Sequence, residues 1–255
     1  MSDEQAPNAG EEYALKEYFI KYMEEIKGLS EASIKHYMGA LDTVISRYLK
    51  EKGLVNHSIF EIKSLKHLLD VQEILKKDPD FVALNEKGHR MYRSGLQSYI
   101  DFARGQWSDS HKDEDTKVEL SKLDEPIPRE KYHYEITSER YRRSPIIKHQ
   151  VLKAEHYLCE VDHHHETFIV NNTNHAYMEG YHVIPLSHQK QFKYSLDIYA
   201  NVICLCPICH RLLHYGRISD REKILDQIYG ERSERLAKSG LDISRKDFFD
   251  LAESR

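Results

Sequence analysis

YANVICLCPICHRLLHYG, residues 199–216, places a short strand, a metal-binding turn and a helix in close succession. Val202 to Leu205 is rich in β-branched residues and predicts a strand. Pro207 then begins a helix. His210 and His214 are four residues apart, so they project from one face of that helix and can bind one cation. Two solvated histidines on an exposed turn are the alternative.

The chain has four cysteines, and all of them lie in one region: Cys159, Cys204, Cys206 and Cys209. Such a cluster favours a metal site over disulfide bonds. Cys206 and Cys209 form the Cys-x-x-Cys turn that presents two thiolates to a tetrahedral zinc, and Cys159 with one of residues 163–165, all histidines, completes a Cys3His site. Cys204 is interpreted as a small buried residue. The alternative is that all four cysteines are core residues.

A second strand-forming stretch, EGYHVIPLS (residues 179–187), carries His182 within an apolar run. Residues 167–170 and 177–184 are rich in β-branched or aromatic residues and predict two further short strands before the helix. A histidine inside an apolar strand is usually a core residue. The order of strand, loop, strand and histidine-bearing helix favours a functional site instead.

Three segments, CEVDHHHETF (159–168), EGYHVIPLS (179–187) and YANVICLCPICHRLLHYG (199–216), resemble the ββα-metal or HNH nucleases. They are most similar to the HNH domains of restriction endonucleases, including those that restrict methylcytosine-containing DNA. The resemblance extends over about residues 140–250. It implies a metal-dependent enzyme that cleaves DNA and leaves 5′-phosphate and 3′-hydroxyl ends.

The resemblance also implies catalytic roles. His182 would be the general base, Asn201 would orient it, and His210 and His214 would bind a catalytic Mg²⁺ or Mn²⁺. The family commonly has histidine or aspartate directly before the base, as a further cation ligand. Here that position is Tyr181, and a neutral phenol is a poor ligand for a hard cation. A catalytically weakened HNH-fold DNA-binding module is therefore the alternative hypothesis.

The same resemblance implies a structural zinc held by Cys159, His165, Cys206 and Cys209. His165 is favoured over its two histidine neighbours because the family's ligand precedes a stretch similar to residues 166–168. A third hypothesis is a zinc-stabilised regulator without nuclease ancestry. His182 and Asn201 argue against it, because a purely structural zinc site does not need them.

Composition sets limits on the class of protein. The 255 residues carry a net charge of −5, with 40% hydrophobic and 31% charged residues. No apolar run approaches the ~18 residues of a membrane span, and the polar N-terminus lacks a signal peptide, so a cytoplasmic protein without membrane association is expected. The charges are segregated. Acids concentrate in the N-terminal tail and near residues 109–115, and bases precede the candidate site at Arg140, Arg142, Arg143, Lys148 and Lys153.

The predicted fold class is α+β, with a helical N-terminal domain followed by a zinc-stabilised ββα-metal domain with C-terminal helices. Its predicted parts are a disordered tail (1–12), a helical domain (13–105), an acidic linker (106–130) and the nuclease domain (131–255). The helical domain is interpreted as a DNA-recognition or dimerisation unit. Hydrophobic spacing predicts helices near residues 18–28, 30–53, 66–76, 88–102, 145–157, 220–238 and 244–252.

Double-stranded DNA is the expected partner. Cutting both strands with one active site per chain suggests a homodimer. The candidate contacts to DNA phosphates are basic residues around the predicted site, each of which is equally compatible with an ordinary surface charge: Lys148, Lys153, Lys190, Lys193, Arg211 and Arg217.

Overall fold

The computed structural model describes residues 13–106, 119–128 and 143–253. The predicted tail, most of the predicted linker and the bases Arg140 and Arg142 lie outside these residues. Within the three described ranges, no helix is both long enough and apolar enough to cross a bilayer.

The first half is helical. Its helices are α1 (Ala14–Lys21), continued by a π-helical turn (Tyr22–Ile26); α2 (Glu31–Met38), continued through a π-helical segment (Gly39–Ile45) into α3 (Ser46–Glu51); α4 (Leu65–Lys77); α5 (Pro79–Lys87); and α6 (Met91–Ala103). The Ser30 hydroxyl caps α2 by accepting a hydrogen bond from the Ser33 amide, as the sequence predicts. Sequence analysis missed α5, whose start is marked by the capping Asp78 and by Pro79 in the first turn.

The second half places a two-stranded sheet among helices. Its elements are α7 (Pro145–Ala154), β1 (Glu179–His182), a 3-10 turn (Leu186–Gln191), β2 (Val202–Leu205), α8 (Pro207–Tyr215), α9 (Ile218–Lys238) and α10 (Arg245–Glu253). β1 and β2 are antiparallel, with Glu179 opposite Leu205 and His182 opposite Val202. The described residues therefore combine many helices with one small sheet, in agreement with the α+β class.

The prediction of a strand over residues 167–170 is wrong. Only an isolated bridge joins Ile169 to Ala176, and the side chains of Phe168 and Ile169 are largely exposed. The stretch has β propensity but no neighbouring sheet to pair with, and propensity alone does not make a strand. The predicted strand over residues 177–184 is likewise confined to the four residues of β1.

The two halves share one apolar core. The rings of Tyr18 in α1 and Tyr199 lie 4.1 Å apart, and the Tyr199 amide donates to the Tyr18 hydroxyl at 3.3 Å. The Tyr199 hydroxyl donates to Gln150 of α7, whose amide nitrogen donates to the Phe102 carbonyl at 2.7 Å. These buried polar contacts fix how the helical half sits against the half that contains β1 and β2.

Residues 119–128, within the predicted linker, also pack against the second half. Leu123 and Ile127 are buried, and the Ile127 carbonyl accepts from the Ser195 amide at 2.8 Å. The buried carboxylate of Asp124 accepts two hydrogen bonds from Arg235 of α9, at 2.6 and 3.1 Å. Burial raises the pKa of Asp124, and the guanidinium opposes that shift. The domain boundaries themselves stay a prediction.

Candidate functional site

The N-terminal end of α8 carries a cluster of sulfur and nitrogen atoms. The candidate ligand atoms of Cys159, His165, Cys206 and Cys209 all lie within 4.8 Å of one another. His165 Nδ1 is 3.5 Å from the Cys206 sulfur and 3.4 Å from the Cys209 sulfur. Cys206 is also the N-cap of α8, where its sulfur accepts from the Cys209 amide. The start of the helix and the cluster are thus one structure.

The donor set fits a metal such as zinc. Zn–S bonds of ~2.3 Å and Zn–N bonds of ~2.05 Å at tetrahedral angles require an S···N separation of roughly 3.5 Å, which matches the observed separations. The three sulfurs are buried, as in a closed structural site. The hydrogen bond from Cys209 lowers the pKa of Cys159 to about 4, and the same contact, with burial, raises the pKa of Cys209. This cluster can hold a metal ion.

Only one of the three histidines that were predicted as alternative ligands belongs to the cluster. His163 and His164 are exposed and lie outside it, whereas His165 faces the sulfurs. Cys204 is fully buried and is not part of the cluster, and burial raises its pKa. These positions match the ligand set that the family resemblance implies.

A buried ion pair fixes the chain next to Cys159. Glu160 accepts from the Cys204 amide at 2.6 Å, and its own amide donates to the Cys204 carbonyl at 2.9 Å. The other Glu160 carboxylate oxygen is paired with Arg232 of α9, which also donates to the Tyr199 carbonyl at 3.2 Å. Cys159 is therefore held against β2 and α9 by its neighbour, independently of any metal.

The second candidate metal site uses the same helix. His210 and His214 project together from α8, with their Nε2 atoms 3.2 Å apart. The Tyr181 ring is only 3% exposed and lies edge-on to both imidazoles, with centroid distances of 5.1 and 5.7 Å. The structure thus brings the two histidines together and places the tyrosine against them as a packing surface.

Glu179 is a further candidate site residue, and the sequence patterns did not predict it. One of its carboxylate oxygens is hydrogen-bonded to His210 Nδ1, and the other accepts from the Tyr177 hydroxyl at 2.9 Å. Burial alone would raise the pKa of Glu179, but the bonds from His210 and Tyr177 hold it below its ordinary value. An ionised carboxylate accepts a hydrogen bond from Nδ1–H of His210. The lone pair of that imidazole is then on Nε2, the atom that faces His214. Glu179 stands two residues before Tyr181, so both side chains lie on the same face of a strand, and this spacing could have indicated its place at the site.

His182 ends β1 and is bonded to a second missed residue, Asp197. The distance from His182 Nε2 to Asp197 Oδ1 is 2.8 Å, and the histidine side chain is 9% exposed. The other oxygen of Asp197 accepts from the Ser144 amide at 2.6 Å, directly before α7. The carboxylate is thereby held in place by the backbone. No local motif marks Asp197, because only the fold brings it to His182.

Asn201 is fully buried, and its side chain bonds to two backbone segments. Its side-chain oxygen accepts from the Ile184 amide at 2.8 Å. Its side-chain nitrogen donates to the carbonyls of Ile184 and Leu196, at 2.9 and 2.8 Å. These bonds fix the chain that leaves β1 just after His182 and the loop that returns to β2.

The predicted basic residues fall into two groups. The side chain of Lys148 packs closely on β1 at Gly180: a Cβ atom added to that glycine would lie 2.6 Å from the Cγ atom of Lys148. Lys153 donates to the Arg104 carbonyl at 3.1 Å. Lys193 lies over the Tyr194 ring at 5.1 Å. The other three, Lys190, Arg211 and Arg217, are exposed, as Lys148 and Lys193 also are. Arg211 lies close enough to act electrostatically on Glu179.

A restriction enzyme is among the proteins to which the chain is similar. No family profile matches the chain. The chain is 34% identical over 89 residues to a type IV methyl-directed restriction enzyme, EcoKMcrA, of Escherichia coli strain K12. The match covers 35% of this chain and 29% of that enzyme, so the chain spans less than a third of its relative's length. This distant match supports a relation to restriction enzymes.

Proposed function

We propose that the chain is a metal-dependent DNA endonuclease of restriction type with a ββα-metal site. The observation that carries the proposal is the pair of imidazoles on α8, 3.2 Å apart, packed against Tyr181, the neighbour of His182. The similarity to a methyl-directed restriction enzyme makes DNA the substrate class to test. The order of strand, strand and helix around these residues is the one that the HNH resemblance implies.

In this mechanism His182 acts as the general base. Imidazole exchanges protons near neutral pH, which suits the deprotonation of water. A hydrogen bond from Nε2–H to the Asp197 carboxylate would select the tautomer whose lone pair lies on Nδ1, the atom that takes the proton from water, and the carboxylate would stabilise the imidazolium that forms. The activated water attacks phosphorus, and the bond to the 3′ oxygen breaks. The products carry 5′-phosphate and 3′-hydroxyl ends.

His210 and His214 would hold the catalytic divalent cation, with open positions for water and a DNA phosphate. When bound, such a cation neutralises charge on the scissile phosphate and stabilises the departing 3′ oxygen. Two imidazole nitrogens suit Mn²⁺ better than Mg²⁺, which prefers oxygen ligands. Glu179 would orient His210 from behind, and zinc at the Cys3His cluster would fix the start of α8.

A second candidate function rests on Tyr181. Its buried ring occupies the position where the family commonly has a cation ligand, so only two protein nitrogens converge there in the part of the chain that the structure describes. A site with two ligands binds a cation more weakly than a site with three. The alternative is therefore an HNH-fold module that binds DNA without cutting it efficiently.

Plasmid cleavage tests both functions. Methylated and unmethylated supercoiled plasmids are incubated with Mg²⁺ or Mn²⁺ and wild-type protein, with His182→Ala, or with His67→Ala, an exposed histidine of α4, as the matched control. The nuclease proposal expects nicked or linear plasmid with wild type and His67→Ala, and none with His182→Ala. Preference for one plasmid shows whether base modification is recognised.

Two outcomes contradict the proposal, one for the nuclease activity and one for the role of His182. If wild type leaves both plasmids intact but retards them on a gel, the DNA-binding module replaces the enzyme. If His182→Ala cuts as fast as wild type, His182 is not the base, whatever the source of the activity.

A further inference from the structure

Residues 167–178, TFIVNNTNHAYM, form a finger that leads directly into β1. The Tyr177 amide donates to the Phe168 carbonyl at 2.8 Å, and the Val170 amide donates to the His175 carbonyl at 2.9 Å. The Thr167 hydroxyl donates to the Tyr177 carbonyl at 2.9 Å. These cross-links make the finger a built hairpin-like structure rather than an unstructured loop.

The finger presents apolar side chains to solvent. Phe168 is 65% exposed and Ile169 is 58% exposed, which places them among the most exposed large apolar residues of the described chain. Phe168 stacks on Tyr177 at 4.8 Å, with the rings inclined by 15°, so its position is fixed although it is exposed. A rigid, exposed apolar pair indicates a contact surface.

The finger has no carboxylate that would repel a polyanion. None of its twelve residues is Asp, Glu, Lys or Arg, although these four types make up 31% of the whole chain. Its turn, residues 171–174, reads NNTN, and such amides can bond to base edges without repelling phosphates. Near its base, Arg211 acts electrostatically on Tyr177, and the Lys148 stem crosses β1 at Gly180.

The finger is connected to the histidine pair through hydrogen bonds. Tyr177, which carries the Phe168 stack, donates to Glu179 at 2.9 Å, and Glu179 is bonded to His210. On the other side, His175 stacks on Tyr157 at 4.0 Å, beyond the end of α7. The finger therefore stands in a fixed position relative to the proposed cleavage site.

We infer that the finger is a DNA-groove contact that inserts Phe168 and Ile169 against the bases next to the cleaved phosphate, with its amide turn along the groove edge. Apolar side chains inserted between base pairs unstack a step and bend the duplex. This inference rests on the proposed function, because it takes DNA as the substrate. DNA is favoured over a second protein chain because the finger has no carboxylate, carries an amide turn and is hydrogen-bonded through Glu179 to the histidine pair of the proposed cleavage site.

The test measures base unstacking separately from cleavage. A duplex containing 2-aminopurine is titrated with His182→Ala protein, with the same protein carrying Phe168→Ser and Ile169→Ser, and with the same protein carrying Ile74→Ser and Val82→Ser. The last pair is the matched control, because Ile74 and Val82 are also exposed, at 44% and 39%, but lie on α4 and α5. Fluorescence reports unstacking, and anisotropy reports binding.

The expected result is a fluorescence rise with His182→Ala and with the control, and loss of that rise with the finger variant. In the wild-type background, the finger substitutions should slow plasmid cleavage by about tenfold or more. Ile169→Ser alone keeps the Phe168 stack and should lose part of the rise, so a folding defect cannot account for the result. Melting temperature and zinc content should stay unchanged.

The possible results separate the finger contact from the nuclease activity. Equal fluorescence and cleavage with the finger variant reject the finger while the nuclease stands. Unstacking by a wild-type protein that never cuts supports the finger and rejects the nuclease. Failure of His182→Ala to bind the duplex rejects the finger contact. If the finger substitutions instead convert a dimer to a monomer in light scattering, the surface joins two copies of the chain.

Discussion

The two ends of α8 carry two candidate metal sites that differ in closure. At the N-terminal end, four donor atoms converge and the three sulfurs are buried. Toward the C-terminal end, two imidazoles meet beside solvent, with His214 exposed and His210 partly exposed. A closed set of four protein ligands is typical of a structural metal, and an open set is typical of a catalytic one.

The position of the two imidazoles depends on the sulfur cluster, but the cluster does not depend on the imidazoles in the described contacts. Cys206 caps α8, and the cluster therefore determines where the helix begins and where His210 and His214 point. Nothing in the described contacts makes the cluster depend on the imidazoles. Damage at the sulfur end should therefore abolish both structure and cleavage, and damage at the imidazole end should abolish cleavage alone.

The largest expected effect comes from Cys159→Ala, which removes a sulfur supplied from outside α8. The variant should lose its zinc and unfold around β1, β2 and α8, because zinc contributes ~10 kcal/mol or more of apparent binding energy in small zinc-dependent folds. Metal content by mass spectrometry and thermal melting by circular dichroism measure both effects.

Cys204→Ala is the matched control, since Cys204 is equally buried but lies outside the cluster. It should keep one zinc per chain and cost about 1–3 kcal/mol of stability. Full zinc occupancy in Cys159→Ala would mean that the cluster is not the zinc site.

The second effect is confined to function. His214→Ala removes one exposed imidazole, so Mn²⁺-dependent plasmid cleavage should fall to background while the melting temperature changes by no more than ~2 °C. His188→Ala, on the 3-10 turn after β1, provides the control for loss of a histidine. Loss of zinc together with cleavage in His214→Ala would break the proposed separation between the two ends of α8.

Glu179→Gln should produce an intermediate effect. The substitution removes the negative charge behind His210, and loss of such a supporting group typically weakens metal binding by ~10- to 100-fold. The midpoint of an Mn²⁺ titration, followed by electron paramagnetic resonance, should rise by that factor. Zinc content should not change. Glu166→Gln, an exposed carboxylate beside the sulfur cluster, should leave the midpoint unaltered; an equal shift there would reduce the effect to general electrostatics.

Much of the fold could be predicted because its signals are local. Ser144 and Pro145 mark the start of α7, and Cys206 and Pro207 mark the start of α8, by capping chemistry contained in adjacent residues. The failed strand at residues 167–170 shows the limit. β propensity describes a residue's fitness for a sheet, but only tertiary structure decides whether a partner strand is present.

The candidate site also combines residues that local spacing predicts with residues that only the fold brings together. The spacing of His210 and His214 predicts their proximity, because four residues make about one helical turn. Asp197 and Glu179 could not be found this way. Asp197 reaches His182 from a loop fifteen residues away, and Glu179 reaches His210 only through the packing of β1 on α8. Sequence patterns thus predicted the candidate ligands, and the carboxylates beside them were recognised only in the structure.

The smallest predicted effect tests whether the open end of α8 is short of one ligand. Tyr181 packs edge-on to both imidazoles, so Tyr181→His places a third ring nitrogen beside them. The midpoint of the Mn²⁺ titration should fall by about tenfold, and Tyr181→Phe, which keeps the ring, should leave it unchanged. If Tyr181→Phe weakens Mn²⁺ binding instead, the phenol oxygen is itself a ligand. The open end of α8 would then have three protein ligands against four at the sulfur end, and it would not lack the ligand that the family commonly has at this position.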